Sequence, residues 1–368
     1  MPGQAEGTLL FMLSFRDYVA SLKERTGTFQ ILVIGNEAAD LDSTVSSLCY
    51  AYLSTTHHDI PAIPVVNCFR CDFPLRKEIS YLLLKTGIMP DDLLFIDDVL
   101  FDEFPENFSL VLIDHNQPGL SLDPYSAKVT GIIDHHDDSG LFQTVSPRII
   151  QQVGSTATLV AQEFVRERAF IDKDVACLLL AAILLDTLNL SQRSKKATAA
   201  DNAMASVLTA ICEIDGKRLF KILQMKRHDI NGMTVVDLLR RDYKEYQIGK
   251  IRYGVAVVCL DSASLHERDV NILKTLKEYQ RDRNLEFLVL MLVTTQPHFR
   301  REMIVVWDDD NAQDSLFTVL QEKGFGLSLL RGDLWKIDPN GSVRIYGQAN
   351  EALSRKVLHP LLTAFLDT

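Results

Sequence analysis

The first half of the chain alternates short, fully apolar segments with segments in which apolar residues recur at helical spacing. Strands that are apolar throughout are typical of a parallel sheet covered on both faces, and the helices between them provide the crossovers. Strands are predicted at 29–35, 63–66, 93–96, 110–113 and 129–133, and helices at 43–53, 75–85, 155–168, 172–185 and 198–212. This pattern predicts a doubly wound α/β domain with a mainly parallel sheet.

The second half mixes the two periodicities in another order and predicts a smaller α+β domain. Its predicted helices are 220–226, 234–241 and 312–322, and its predicted strands are 251–260, 285–294 and 302–307. Within 327–346, the turn residues Arg331-Gly332-Asp333 and Pro339-Asn340-Gly341 indicate hairpins. We therefore predict two domains, 1–213 and 214–368, with a linker at about 213–216.

Composition is that of an ordinary globular protein, with 47% hydrophobic and 24% charged residues in a chain of 368. A formal net charge of −11 argues against a general nucleic-acid binder, so any polyanionic substrate requires a local basic patch. No apolar stretch reaches the roughly 20 residues of a membrane-spanning helix, and the N-terminal segment lacks the pattern of a signal peptide. Six scattered cysteines fit a reducing compartment. We expect a cytoplasmic monomer with no nucleic-acid or membrane partner, and a mitochondrial pool is left open.

Residues suited to metal binding begin where the first predicted strand ends. The segment 31–43 is ILVIGNEAADLDS, in which an apolar strand leads directly into a loop with Asn36, Asp40 and Asp42. Ligands of open α/β sheets gather at the carboxyl ends of strands, and two aspartates in such a loop form a natural site for a hard cation. Asp42 or Ser43 could instead cap the following helix, but capping does not account for Asp40. A dinucleotide-binding loop is excluded because this loop has one glycine where that motif needs three.

Two further predicted strands end in residues of the same kind. The strand 110–113 is followed by Asp114-His115-Asn116, and the strand 129–133 by Asp134-His135-His136-Asp137-Asp138. Each segment alone could be an ordinary turn, but in a parallel sheet all three ends lie on one edge. Asp186 follows an apolar helical run and, taken alone, would be interpreted as a polar helix end. Together, the three acidic strand ends indicate a site for a divalent cation.

The segments GNEAADLDS, LIDHN, GIIDHHDD, VGSTATLV and AAILLDT, in this order, resemble the motif series of the DHH phosphoesterase superfamily. Within that superfamily the chain is similar to the fungal exopolyphosphatases and, more distantly, to prune-type phosphoesterases and family II inorganic pyrophosphatases. The later segments RRDYKEYQIGK and ALSRKVLHPLL resemble the companion domain called DHHA2. The resemblance covers nearly the whole chain. It implies an active site in the cleft between a metal-binding first domain and a substrate-binding second domain.

Carried over position by position, the resemblance implies two divalent ions bridged by Asp114. Asn36 and Asp40 would serve the first ion, and Asp42, His135 and Asp186 the second. His136 would contact phosphate and, with Asp114, act as a catalytic residue. Ser155 and Thr156 would offer a hydroxyl and backbone N–H groups to phosphate at a helix start, a role compatible with the alternative of a helix N-cap. Asn36 departs from the pyrophosphatases, which carry histidine there, and an amide is the weaker ligand for a borderline metal.

Carboxylates with one or two imidazoles suit Mg²⁺ or Mn²⁺, with Co²⁺ as a further option. Two such ions would lower the pKa of a water molecule and aim it in line at phosphorus. The leaving phosphate then needs cationic partners. Lys244, Arg355 and Lys356 match phosphate-binding positions of the family, although the sequence alone would make them surface charges. Arg76 and Lys77 are further candidates for a track that binds a long polyanion.

The predicted function is that of an exopolyphosphatase, which removes terminal orthophosphate from linear inorganic polyphosphate. The same scaffold could instead hydrolyse pyrophosphate, short oligophosphates or a cyclic nucleotide. Asn36 and the complete Asp134-His135-His136 motif favour the exopolyphosphatase branch. A catalytically inactive scaffold protein is the alternative from another class. It predicts the loss of metal-binding carboxylates, whereas all four aspartates of the implied site are present.

Overall fold

The computed structural model describes residues 13–366 except 28, 102, 103, 105, 106, 120, 296, 297 and 331–341. The chain divides into two compact units, Met1–Asp229 and Ile230–Thr368, and each has its own sheet. The N-terminal segment 1–12 and the turns predicted at 331–333 and 339–341 lie outside the described residues.

The first unit contains a five-stranded parallel sheet. Its strands are β1 Ile31–Ile34, β2 Ala62–Val65, β3 Ser109–Ile113, β4 Val129–Asp134 and β5 Arg148–Ile150, in the spatial order β2-β1-β3-β4-β5. Its α-helices are α1 Phe15–Ala20, α2 Leu41–Thr56, α3 Lys77–Lys85, α4 Thr156–Arg166, α5 Lys173–Asp186, α6 Ala199–Cys212 and α7 Gly216–His228.

Burial along the strands shows that this sheet is covered on both faces. Leu32, Val33 and Ile34 of β1 are each 0% exposed, although successive residues of a strand point to opposite faces. In β3, the run from Leu110 to Ile113 is buried in the same way. Fully apolar strands fit this environment because neither face meets water. The predicted α/β domain with a parallel sheet is confirmed.

One predicted strand, at 93–96, is wrong. Phe95 forms only an isolated bridge with Val66 before the chain turns into the 3₁₀ helix Ile96–Asp98. There the Asp98 carboxylate accepts a hydrogen bond of 2.8 Å from the Phe95 N–H, so it takes a donor that a sheet would use. The three-residue edge strand β5 and the six-residue α1 were not predicted, because such short apolar runs carry too little periodicity.

The second unit contains a six-stranded mixed sheet, which confirms the predicted α+β domain. Its strands are β6 Tyr243–Ile248, β7 Ile251–Val258, β8 Phe287–Thr294, β9 Arg300–Trp307, β10 Leu327–Leu329 and β11 Val343–Gln348, in the order β10-β11-β9-β8-β7-β6. Among these described strands, only β7 and β8 pair in parallel. Its helices are α8 Val235–Arg241, α9 Ser262–Arg268, α10 Ile272–Asp282, α11 Asp310–Glu322 and α12 Arg355–Leu366. Of the helices described in either unit, none has the length and apolar character needed to cross a membrane.

The compact units divide after α7. This helix packs against α3 and α5, and its Leu219 and Leu223 are buried in the core of the first unit. The sequence-based boundary at 213/214 precedes α7, so the two divisions differ by one helix. Helical periodicity reveals that α7 exists and which of its faces is apolar, but it does not tell which core receives that face.

Candidate metal centre

The carboxyl ends of β1, β3 and β4 lie side by side, because these strands are parallel and adjacent in the sheet. The loop after β1 enters α2 at Asp40, the N-cap residue, whose carboxylate accepts a hydrogen bond of 3.0 Å from the Ser43 N–H. Gly35 allows this close approach, since a Cβ there would lie 2.2 Å from the Ser43 Oγ. The start of α2 therefore packs directly against the strand end and places Asp40 and Asp42 at the sheet edge.

Asp114 follows β3 and lies at the centre of the cluster, with 2% of its surface exposed. Its Oδ1 accepts a hydrogen bond of 2.9 Å from the Thr156 hydroxyl and lies 3.3 Å from His135 Nε2 and 3.7 Å from His136 Nδ1. Its Oδ2 accepts a hydrogen bond of 2.7 Å from Asn36 Nδ2. Its backbone has a φ of +64°, a conformation that costs about 1–3 kcal/mol outside glycine and is common at functional sites. The surrounding contacts hold this carboxylate in one place.

The orientation of the Asn36 amide follows from its contact with Ala38. The Ala38 N–H can only donate, so the atom 2.9 Å from it is the Asn36 oxygen, Oδ1. The Asn36 nitrogen therefore faces Asp114, and an amide nitrogen has no lone pair to give a metal ion. In this orientation Asn36 holds the central carboxylate. A role as metal ligand would need Oδ1, and it stays a prediction.

Asp42 is buried and binds the start of α4. Its Oδ1 accepts hydrogen bonds of 2.8 Å from the Ser155 hydroxyl and the Ala157 N–H, and its Oδ2 accepts one of 2.6 Å from the Thr156 N–H. The free N–H groups and the dipole at a helix start favour such an anion. Ser155 and Thr156 are fully buried, and their hydroxyl groups donate to Asp42 and Asp114. Their predicted contact with phosphate remains a prediction.

Asp201 fixes the loop before α4, a role that was not predicted from the sequence. It is fully buried and accepts hydrogen bonds from the Gly154 N–H (2.9 Å), the Thr158 hydroxyl (2.6 Å) and the Thr198 N–H (2.6 Å). A Cβ at Gly154 would lie 2.4 Å from the Thr187 methyl carbon, so the loop passes too close to the end of α5 for a side chain. The capping box of Thr198 and Asp201 is visible in the sequence, but the contact with Gly154 is not.

Asp42, Asp114 and Asp186 form a group of interacting negative charges. Burial raises the pKa of Asp114 to about 7, and the charge of Asp42 adds to that shift. Burial raises the pKa of Asp186 as well, with further contributions from Asp42 and Asp40. Burial also raises the pKa of Asp42, although His135 opposes this shift. Carboxylates that repel one another in a buried site are stabilised as anions by a bound cation, so this donor set fits a divalent metal ion.

The two histidines are held in different ways. His135 Nδ1 lies 3.0 Å from the Val153 carbonyl oxygen, which can only accept, so Nδ1 carries the hydrogen and Nε2 faces Asp114. Burial alone would lower the pKa of His135, but its hydrogen bond with Asp114 and the charge of Asp42 raise it to about 10. The ring of His136 is half-exposed. One potential ligand atom from each of Asp114, His135 and His136 lies within 4.8 Å of the other two.

Asp134, at the end of β4, is a carboxylate of another kind. It is fully buried and accepts hydrogen bonds from the backbone N–H of His135 (2.8 Å), from the His136 Nδ1–H (2.8 Å) and from the Asn116 amide. Burial alone would raise the pKa of Asp134, but the bonds from His136 and Asn116 outweigh it and lower the pKa. Asp134 therefore orients His136. The roles of Asp134 and Asn116 were not predicted from the sequence, although both residues lie in segments that resemble the family motifs.

Arg76 contacts the loop between β1 and α2. The side chain is 4% exposed, and its Nε and Nη2 donate to the Ala38 carbonyl oxygen at 3.0 and 2.6 Å, while Nη1 donates to the Asp72 carbonyl at 3.2 Å. It fixes the carbonyl group of Ala38, the residue whose N–H orients Asn36, and in this structure the buried guanidinium is not accessible to a substrate. Lys77, the other candidate for the polyanion track, forms an ion pair of 3.1 Å with Asp229.

The three cationic candidates of the second unit lie near the start of α12. Lys244 of β6 pairs with Val255 of β7, and the Arg355 guanidinium donates to the Val255 carbonyl at 3.5 Å. Arg355 also donates to the Asp242 carboxylate at 2.6 Å, and Lys356 beside it is exposed. A helix start with adjacent cations favours anions. Phosphate binding by these three residues stays a prediction.

A parallel sheet whose carboxyl edge gathers aspartates and histidines around a cluster of negative charge is an arrangement typical of metal-binding α/β proteins. Comparison with protein families identifies it more closely. The model of the DHH family N-terminal domain matches residues 30–183, and the model of the DHHA2 domain matches residues 221–365. The chain belongs to the DHH family, and its second half is a DHHA2 domain.

Individual relatives agree with this assignment. A Schizosaccharomyces pombe protein provisionally named an exopolyphosphatase is 32% identical over 90% of this chain and 89% of its own length. The Homo sapiens exopolyphosphatase PRUNE1 is 29% identical over 90% of this chain and 74% of its own length. A manganese-dependent inorganic pyrophosphatase of Methanothrix thermoacetophila is 28% identical over 71% of this chain and 80% of its own. The predicted resemblance is confirmed.

A solved structure supports the fold. The Methanococcus jannaschii protein provisionally named a family II inorganic pyrophosphatase superposes with a TM-score of 0.62 at 21% identity, covering 92% of this chain and all of that one.

Proposed function

We propose that this DHH-family hydrolase is an exopolyphosphatase, which releases terminal orthophosphate from linear polyphosphate with the help of two divalent ions. The observation that carries the proposal is the group of interacting carboxylates Asp42, Asp114 and Asp186, in which Asp42 and Asp114 are buried and Asp114 lies 3.3 Å from the His135 Nε2. The names of the relatives, two exopolyphosphatases and a manganese-dependent pyrophosphatase, support a substrate with phosphate anhydride bonds.

The residues that would hold the ions are those of the buried cluster and its rim: Asp40, Asp42, Asp114, His135 and Asp186. Carboxylate oxygens with an imidazole nitrogen suit Mn²⁺ or Mg²⁺, and the manganese dependence named for the pyrophosphatase relatives supports a divalent ion. Bound there, such ions would supply an activated water and positive charge near phosphorus. Asp114 suits the bridging position because its two oxygens already face different partners, Thr156 and Asn36.

The protein's own side chains have separate tasks in this proposal. Asp134 fixes the His136 ring through Nδ1 at 2.8 Å, which leaves Nε2 to bind an oxygen of the terminal phosphate. Ser155 and Thr156 keep Asp42 and Asp114 in place through their hydroxyl groups. Lys244, Arg355 and Lys356 offset the negative charge of the polyphosphate and of the leaving group. The net charge of −11 makes such local cations necessary.

The test measures phosphate release by the full chain from long polyphosphate, tripolyphosphate, pyrophosphate and a cyclic nucleotide, each with Mg²⁺, Mn²⁺ or Co²⁺. Asp114→Asn serves as the blank, and Asp123→Asn, at an exposed residue that also follows β3, is the matched control. We expect release from long polyphosphate that Asp123→Asn retains and Asp114→Asn loses. A strong preference for pyrophosphate would overturn the substrate, and an active Asp114→Asn variant the metal assignment. No release from any substrate would favour the inactive scaffold.

A further inference from the structure

Two histidines and a glutamate meet at the opposite end of α2 from the metal centre. His57 follows Thr56, the last residue of α2, and His58 comes next, while Glu167 follows the last residue of α4. One potential ligand atom from each of His57, His58 and Glu167 lies within 4.8 Å of the other two. Among the described residues, just one other group meets this criterion, and it is the trio of the metal centre itself.

We propose that His57, His58 and Glu167 form a second metal site, which binds Zn²⁺ independently of the metal centre. Two imidazoles and one carboxylate are a donor set that zinc accepts with water completing the coordination, and imidazole favours Zn²⁺ over Mg²⁺. Helix α2 has 16 residues and is therefore about 24 Å long. An ion at its C-terminal end cannot be shared with Asp40 and Asp42 at its N-terminal end.

The local charges and the freedom of the side chains favour the site. His57 and Glu167 are the C-cap residues of their helices, where unpaired carbonyl groups give the helix end partial negative charge. Arg166 is the competing cation: its Nη2 lies 2.9 Å from Glu167 and 2.5 Å from Glu163. Zinc would displace Arg166 from Glu167, and Glu163 would keep it paired. His57 and His58 are exposed, so their rings can change rotamer without disturbing the core.

The site would tie together two helices that also meet at the metal centre. Helices α2 and α4 pack on each other, and at their N-terminal ends Asp42 binds Ser155 and Thr156. An ion bound by His57, His58 and Glu167 would join their C-terminal ends. Because the ion recognises the folded arrangement, its binding would stabilise the folded chain by mass action.

The test counts zinc on the full chain after chelator treatment and equilibrium dialysis against Zn²⁺. The variants are His57→Gln/His58→Gln and Glu167→Gln. His228→Gln, at an exposed histidine that ends α7, is the matched control. We expect wild type and His228→Gln to retain one more Zn²⁺ per chain than the double variant, and Glu167→Gln to bind that ion at least tenfold more weakly. Zinc should also raise the melting temperature of wild type more than that of the double variant.

Equal zinc counts in wild type and the double variant would overturn the proposal, and so would an equal loss in His228→Gln, which would indicate non-specific binding to exposed histidines. Melting in metal-free buffer checks that each variant is folded, and Glu167→Gln provides an independent reading should the double variant fail that check. Phosphate release with Mg²⁺ should be unchanged in the double variant, since none of its residues contacts the metal centre.

Discussion

Asp114 and Asp134 end adjacent strands of one sheet and are both buried, yet their surroundings shift their pKa values in opposite directions. Burial raises the pKa of Asp114 to about 7, with the charge of Asp42 adding to it. For Asp134, burial is outweighed by hydrogen bonds from His136 and Asn116, so its pKa is lowered. Both carboxylates accept hydrogen bonds, so the comparison shows that the charge of the neighbouring group, Asp42 beside Asp114 and His136 beside Asp134, decides the direction of the pKa shift when burial is similar.

The largest effect is expected for Asp114→Asn. Phosphate release should fall well beyond the roughly 10–100-fold loss typical of residues that only support a metal site, because a central ligand is removed. In chelator, the free energy of unfolding should change by less than about 1 kcal/mol, since relief from the Asp42 charge offsets weakened hydrogen bonds. Activity assays and urea denaturation measure the two quantities. A large loss of stability in the metal-free Asp114→Asn variant would contradict the difference inferred between Asp114 and Asp134.

Asp134→Asn should have the second largest effect and a different signature. His136 loses the anion that fixes its ring, so activity should fall about 10–100-fold. The free energy of unfolding should fall by about 2–3 kcal/mol, as expected when hydrogen bonds to a buried charge are weakened. Asp137→Asn, at an exposed carboxylate three residues away, is the control and should leave both quantities nearly unchanged. An unchanged stability in Asp134→Asn would contradict the supporting role.

Thr156→Val tests how firmly the central carboxylate is held. Valine keeps the shape and the N–H that binds Asp42 but removes the hydroxyl bond to Asp114. We expect Mn²⁺ to bind about 10-fold more weakly, at the low end for a supporting residue, as measured by Mn²⁺ titration followed by electron paramagnetic resonance. Thr158→Val removes a hydroxyl bond to Asp201 instead and should reduce stability with little effect on Mn²⁺ affinity. Equal Mn²⁺ affinities in wild type, Thr156→Val and Thr158→Val would contradict this prediction.

The smallest effect is the pH dependence of stability in the metal-free protein. The folded pKa of Asp114, about 7, exceeds the unfolded value of about 3.9, so the folded chain binds more protons between them. Stability should therefore fall as the pH rises from about 4.5 to 6.5, with a smaller slope in Asp114→Asn than in Asp134→Asn.

The raised pKa values of Asp42 and Asp186 act in the same direction as that of Asp114, whereas Asp134 and His135 act outside that pH window. The lowered pKa of Asp134 provides stability that is present above its unfolded pKa and lost only as the pH falls below about 4. The raised pKa of His135, about 10, provides stability that is lost only as the pH rises above about 6.5. Urea denaturation at intervals of pH measures the slopes. If the free energy of unfolding instead rises between about pH 4.5 and 6.5, the protein's own groups stabilise the Asp114 anion without a cation.

The gathering of the candidate ligands at one sheet edge could be predicted because it depends on strand order and period. Three apolar runs are each followed by polar residues that can bind a metal ion, and parallel pairing of neighbouring strands brings these residues to one edge, where Asp40, Asp114 and His135 lie. The core strands were predicted for the same reason, since runs with both faces buried are apolar throughout.

What could not be predicted depends on contacts between residues far apart in the chain. Ser155 and Asp42 are separated by 113 residues, and no pattern in either segment shows that their side chains bond. The orientation of the Asn36 amide depends on one backbone N–H, that of Ala38. The placement of α7 depends on which of the two hydrophobic cores its apolar face packs against. Burial of Arg76 likewise reverses the ordinary expectation that arginine lies at the surface.

All proposed metal ligands lie between Asn36 and Asp186, and the supporting Asp201 follows soon after, so the centre is encoded within the first unit. Domains fold as units during synthesis, with the N-terminal one first. If these residues are the ligands, the nascent chain would have its complete ligand set while Ile230–Thr368 is still being translated. Metal loading would then be a step of biosynthesis that precedes the appearance of Lys244, Arg355 and Lys356, and hence precedes the first encounter with substrate.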